Sequence, residues 1–233
     1  MAEPSEPGAP VATRRLALRK RELAVAVAAM AVVIGVGAAV LGRGGSSQPV
    51  KIPGKAATAA HNSRFDGLAV SPTYPVPPLA LDNYLGGPVN ITDFHGKAVL
   101  VTFIYTHCPD TCPLMVSKLH TALARMPAAE RSQLQIVAVS VDPRGDTRAT
   151  VTHFLAGREM TGRMQYLIGS AGALGAVWSH WGIASKRAPN TPDLVEHTAL
   201  IYGITARGRI AVVYPSNFSP DEIVHDARVL ARA

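Results

Sequence analysis

Apolar positions along this chain change their spacing three times. Residues 1–13 are rich in Pro, Ala and Glu and carry no apolar period, whereas Leu23 to Leu41 is apolar throughout and free of charge. From Gly42 to about Tyr74, Gly, Ser, Ala and Pro mix without periodicity, which reads as a flexible linker over residues 42–74. From Pro75 onward, apolar runs of strand length alternate with stretches whose apolar residues recur every three or four positions. The runs Val89–Ile91, Ala98–Tyr105, Gln135–Val141 and Tyr166–Ile168 predict strands. A helix beginning near Thr111 carries Leu114, Met115, Leu119, Leu123 and Met126 as one buried stripe and ends at Pro127. Thr147–Glu159 and Ala171–Trp181 predict two more helices, Ala199–Ile204 and Arg209–Tyr214 a hairpin turning at Ala206-Arg207-Gly208, and Pro220 opens a final helix.

That order, strand and helix in alternation with a right-handed crossover and then a hairpin and terminal helix, is the order of a thioredoxin-like α/β fold, a central mixed sheet flanked by helices. It places one domain in residues 75–233. The charge-free run of 19 residues is roughly 28 Å long as a helix, enough to span a hydrocarbon core. Arg14, Arg15, Arg19, Lys20 and Arg21 precede it, so residues 1–22 are expected in the cytoplasm, 23–41 as a single transmembrane helix, and everything after on the far side of a cell membrane. A cleaved signal peptide, with Gly37, Ala38 and Ala39 near the cut, is the alternative. The formal charge of +7 owes much to the first 45 residues, with six Lys or Arg against three Glu; the remainder holds 17 basic and 13 acidic residues, scattered and without aromatic interleaving. Nucleic acid is therefore not an expected partner.

Both cysteines of the chain lie in Cys108-Pro109-Asp110-Thr111-Cys112-Pro113, directly after an apolar strand. Cys108 falls just before a helix amino terminus and Cys112 in its first turn, where unpaired N–H groups and the positive dipole end favour thiolate. Residues four apart on a helix share a face, so a dithiol, a disulfide and a shared metal ion are all within reach. Outside the cytoplasm, persistence as a dithiol needs a reducing partner or a bound metal. Paired thiolates select a soft cation, Cu(I) first and zinc as the main competitor.

A third donor would complete such a site, and the chain offers eight histidines. His107 adjoins Cys108 but points the other way from an extended strand end. His120 is two helical turns beyond Cys112, and His180 sits between Trp178 and Trp181 at a helix end. His61, His95, His153 and His225 fall in a linker, a turn or exposed helix faces. His197 lies where the polar loop Lys186–Glu196 meets the strand from Ala199, a place this topology brings beside the dithiol.

The run Thr102-Phe103-Ile104-Tyr105-Thr106-His107-Cys108-Pro109-Asp110-Thr111-Cys112-Pro113, then Ser140-Val141-Asp142-Pro143 with Asp146-Thr147, then Glu196-His197-Thr198, closely resembles the Sco/SenC family over about Pro75 to Leu230. The resemblance implies copper, as Cu(I) or Cu(II), bound by Cys108, Cys112 and His197. It also implies delivery to the binuclear copper centre of cytochrome c oxidase, with the copper-bearing oxidase subunit as partner and other copper carriers or thiol reductases as further contacts. Gly145 stands where that family often has a charged residue, Thr205-Ala206 replaces its usual Asp-Pro, and the loop Ala188–Leu194 is shorter and less acidic.

On this reading the chain is a carrier rather than an enzyme. The competing function is a thiol-disulfide oxidoreductase with Cys108 as nucleophile and Cys112 as resolving thiol. Three intervening residues, against the two of thioredoxin-type enzymes, count against it. Peroxidase chemistry lacks the Pro and Thr approach that peroxiredoxins place before their cysteine. A structural zinc site wants four protein ligands where three good donors converge.

Overall fold

The computed structural model describes residues 64–233 apart from Asn190, together with the two-residue strand Thr58–Ala59. The expected tail, spanning segment and most of the linker lie outside the described residues. Among the described residues no helix is long and apolar enough to cross a membrane.

The strands are β1 (Thr58–Ala59), β2 (Leu68–Pro75), β3 (Ala80–Asn83), β4 (Pro88–Asn90), β5 (Ala98–Ile104), β6 (Leu134–Ser140), β7 (Gln165–Ile168), β8 (Ser185–Ala188), β9 (Thr191–His197), β10 (Leu200–Ile204) and β11 (Arg209–Pro215). The helices are α1 (Thr111–Arg125), α2 (Ala128–Ser132), α3 (Arg148–Ala156), α4 (Ala171–Trp181) and α5 (Pro220–Ala231). Nine strands make one sheet in the order β1-β2-β11-β10-β5-β6-β7-β3-β4. β5, β6 and β7 run parallel, and every other pairing is antiparallel. This is the expected mixed sheet with flanking helices.

All seven residues of β5 are buried, as a central strand covered on both faces requires. Its Phe103 meets Trp181 and Tyr202 at ring centroid separations of 5.6 and 6.3 Å, in tilted and edge-on arrangements that suit aromatic quadrupoles. α5 closes over the hairpin β10–β11 at Gly203, where a Cβ would lie 2.3 Å from a Val212 methyl and 3.1 Å from a Leu230 methyl. A side chain there would push the helix off the sheet. The hairpin turns as expected, with Gly208 at φ 72°.

Three parts differ from the sequence expectation. Leu68–Pro75, inside the stretch read as linker, is strand β2, paired with β11 near one edge of the sheet. Pro72 and Pro75 interrupt its alternation, and proline is tolerated near sheet edges, so the run hides its strand character. The polar stretch Lys186–Glu196, expected as a loop, folds as the two-stranded ribbon β8–β9, with Ser185 opposite His197. Finally, Leu114 is not on the buried stripe of α1 but 55% exposed; the buried face is Cys112, Met115, Val116, Leu119, Ala122 and Leu123.

Candidate metal centre

β5 delivers the chain to the end of the parallel strands at Ile104, and the loop Tyr105–Asp110 carries it into α1. Asp110 caps that helix, its carboxylate accepting the Thr111 N–H and, at 3.0 Å, the Thr111 hydroxyl. Pro113 occupies the first turn, where a missing N–H leaves nothing unsatisfied. Only Cys112 is therefore helical. Cys108 precedes the helix, and its sulfur accepts the Cys112 backbone N–H at 3.3 Å. The pair is brought together by a loop folding onto a helix start rather than by i, i+4 spacing along one helix.

The two sulfurs have unequal surroundings. Cys108 is half-buried and Cys112 fully buried. A hydrogen bond from the Cys112 thiol, with further help from the Cys112 and Asp110 backbone N–H groups and the Tyr105 hydroxyl, brings the Cys108 pKa down to about 6. That same bond, together with burial, pushes the Cys112 thiol up. At neutral pH the pair thus holds one proton, on Cys112, with Cys108 as thiolate. Iodoacetamide is expected to alkylate Cys108 with a half-maximal rate near pH 6, and to leave Cys112 untouched at pH 7. A Cys108 profile centred near the ordinary thiol value of 9.0 would contradict this. The depressed Cys108 pKa contributes stability to the reduced fold that is lost as pH falls from the ordinary thiol value of 9.0 through about 6, while the raised Cys112 pKa withdraws stability as pH climbs above 9.0.

His197 ends β9, and its Nε2 stands 3.7 Å from the Cys112 sulfur across 85 positions of sequence. Its Nδ1 lies 3.1 Å from the Thr198 carbonyl oxygen, which only accepts, so the proton sits on Nδ1 and the Nε2 lone pair faces the sulfur. Burial lowers the pKa of the ring and keeps it neutral at pH 7. Tyr105, which the sequence offers only as a strand residue and a member of the first motif, ties the halves of the site together. Its ring meets the His197 ring edge-on at 5.7 Å, its oxygen accepts the Val195 N–H at 3.3 Å, and its hydroxyl bonds the Cys108 sulfur. Burial pushes that hydroxyl up to about 12, so it stays a donor.

Cys112 touches both other donors, but the three do not all lie within 4.8 Å of one another. The three donors offered are two sulfurs and one imidazole nitrogen. Such a set suits a soft monovalent cation and is one ligand short of a closed zinc site.

Asp146, quoted in the sequence motif without a role, holds the approach to Cys108. Its buried carboxylate accepts from Thr106 N and Oγ1 at 2.8 Å each, from Ser140 Oγ at 2.6 Å and from Tyr166 OH at 2.8 Å. Asp142 is paired with Arg187 of β8, which pins the ribbon to the end of β6, and Trp178 Nε1 donates to the Ser140 carbonyl at 2.9 Å. Gly145 explains itself here: a Cβ would stand 2.3 Å from an Asp142 carboxylate oxygen and 2.9 Å from His107 Nδ1. No side chain fits between them.

The other histidines stay apart from the sulfurs. His107 is exposed, His120 lies 3.8 Å from Glu159, His225 bonds Asp226, and His95, His153 and His180 are exposed; His61 lies outside the described residues.

Residues 73–232 match the SCO1/SenC family. The chain belongs to that family. Among its SCO1/SenC relatives, the mitochondrial SCO2 homolog of Mus musculus is 29% identical over 153 residues, covering 64% of this chain and 59% of that protein. The chain spans about half the length of the next curated relatives it matches, 52% and 48%. Apo Sco1 of Thermus thermophilus superposes with a TM-score of 0.63 at 28% identity, over 74% of this chain and 99% of that one. ScoI of Bradyrhizobium japonicum, solved with copper bound, superposes at 0.57 and 28% identity, over 66% of this chain and 99% of that one.

Proposed function

We propose that this SCO1/SenC chain is a membrane-anchored copper carrier that holds the ion on Cys108, Cys112 and His197 and passes it to the binuclear copper centre of cytochrome c oxidase. Residues 23–41 anchor it, the segment from Gly42 tethers it, and the folded domain works on the extracytoplasmic face. One observation carries the reading. Folding sets a neutral imidazole, lone pair forward, 3.7 Å from the buried sulfur of a dithiol whose other member is already thiolate at pH 7. Family membership and a relative solved with copper support the choice of metal, and membership supports the acceptor. Copper here is cargo. Two thiolates and one imidazole leave a coordination position open to an incoming ligand, so transfer proceeds by exchange of donors rather than by release into water.

The test is metal analysis of the reduced chain after equilibration with copper and zinc together under a competing chelator. Copper at one equivalent with little zinc is expected, and preferential zinc loading would overturn the reading. The half-buried, low-pKa Cys108 also favours a second activity, reduction of an acceptor disulfide through a Cys108 mixed disulfide resolved by Cys112. Rapid catalytic turnover of a disulfide substrate, unchanged by His197→Ala, would make that activity the principal one.

A further inference from the structure

A cleft of about 430 Å³ opens beside the dithiol loop, between Thr106-His107 and helix α3. Its lining contains an arginine, two imidazoles and two threonines but no carboxylate. Arg158 is the unusual member. Its guanidinium stacks 4.0 Å from the Phe154 ring centroid, and one Nη donates to the Phe154 carbonyl at 2.8 Å. Its Nε is buried without a hydrogen-bond partner, and among the described residues no carboxylate lies within ion-pair distance of it. A guanidinium held in place by an aromatic face, part-buried and with no carboxylate paired to it, is a costly arrangement unless an anion joins it.

The neighbours are consistent with that. His107 forms one wall, its Nδ1 3.2 Å from Thr106 Oγ1, while Thr106 itself is fixed by its two bonds to Asp146. Asp142, which approaches the His107 ring across Gly145, is already paired with Arg187 and accepts the Arg144 N–H, so its charge is spent elsewhere. His153, exposed on α3, forms the opposite wall. Thr150 turns its hydroxyl to the Gly145 and Thr147 carbonyls, leaving no acidic group to compete.

We propose that this cleft is a carboxylate-binding site, in which the Arg158 guanidinium takes the anion and His107 and His153 flank it, within one residue of Cys108. A carboxylate fits better than a phosphate, because one planar cation on an aromatic floor matches a planar monoanion in a two-point fork, with a slight turn of the guanidinium bringing Nε into the bond. The carboxylate comes either from an acidic side chain of a docking protein or from a small free acid. The site stands on its own residues, whether or not the chain carries copper.

The experiment follows the Arg158 Nε–H resonance, and in every variant the backbone amide resonances of the cleft residues His107, Thr150 and His153, in the reduced, metal-free 233-residue chain in detergent, at matched ionic strength. The probes are sodium succinate, an acetylated and amidated (Glu-Ala)₃ peptide, and sodium phosphate. Saturable shifts with both carboxylate probes, weakened about tenfold in Arg158→Gln, are expected for one charge-assisted pair in a half-exposed cleft. Peptide binding much tighter than succinate assigns the source to a protein side chain, and equal binding assigns it to a free acid. Arg158→Lys and His153→Gln serve as second variants should the first fail to fold, each expected to weaken binding several-fold with an unchanged amide spectrum. Non-saturating shifts, binding indifferent to these substitutions, or phosphate bound tighter than either carboxylate would overturn the proposal.

Discussion

Cys108→Ser or Cys112→Ser in the reduced chain should lower Cu(I) affinity on the order of a thousandfold, read by competition with a chromogenic Cu(I) chelator. Each substitution exchanges a soft, strongly donating sulfur for a hard hydroxyl, and the remaining thiolate and imidazole cannot enclose the ion. His197→Ala should cost less, roughly tenfold to a hundredfold for Cu(I), with a larger loss for Cu(II), because the harder ion depends more on nitrogen. The ordering follows from the site: Cys112 contacts both other donors, whereas His197 contacts one sulfur from a separate ribbon. A double cysteine variant that bound Cu(I) as tightly as the parent would end the carrier reading.

Asp226→Ala should destabilise the fold by about 3 kcal/mol, measured as thermal or denaturant unfolding of the reduced chain. Asp226 is 0% exposed, and its two oxygens accept from Asp66 N at 2.8 Å, Gly67 N at 3.0 Å, Tyr214 OH at 2.9 Å and His225 Nδ1 at 2.7 Å. Removing the carboxylate leaves a fully buried phenol and two part-buried backbone N–H groups without an acceptor. Asp226→Asn keeps one acceptor and should lose less. Asp66 and His225 stand close enough to form a cation-sized cluster with Asp226. The lone pairs of Asp226 are already engaged, so the cluster is a fastening between the entry to β2 and helix α5. A loss below 1 kcal/mol would show that this entry segment detaches without consequence.

The central sheet and the dithiol were legible because their signals are local. Ala98–Tyr105 is a continuous apolar run, Cys108 to Pro113 is compact, and the hairpin turn at Ala206 to Gly208 carries a glycine where φ is positive. The ribbon was not legible, because Lys186–Glu196 has neither apolar alternation nor a hairpin dipeptide, and Pro189 and Pro192 argue against strand. Its order comes from the Arg187–Asp142 pair, the Ser185 hydroxyl bond to the Val141 carbonyl and the Tyr105 acceptor for Val195, all long-range. For the same reason His197 was placed by topology, while the roles of Tyr105 and Asp146 were invisible: Tyr105 reaches Val195, 90 positions away, and Asp146 reaches Tyr166, 20 positions away. Leu114 misled because helical spacing fixes a face but not its width, and the first turn of α1 opens to solvent beside the site.

The difference in depth between the two sulfurs imposes a chronology on any hand-over. Cys112 offers no surface to the outside, whereas Cys108 stands at the lip. Under the carrier function proposed above, an arriving thiolate or imidazole would displace the outer bond first, leaving the cargo suspended from Cys112 and His197 until the newcomer's second arm closes. Such a departure from the outside inward would keep the ion on at least two partners throughout.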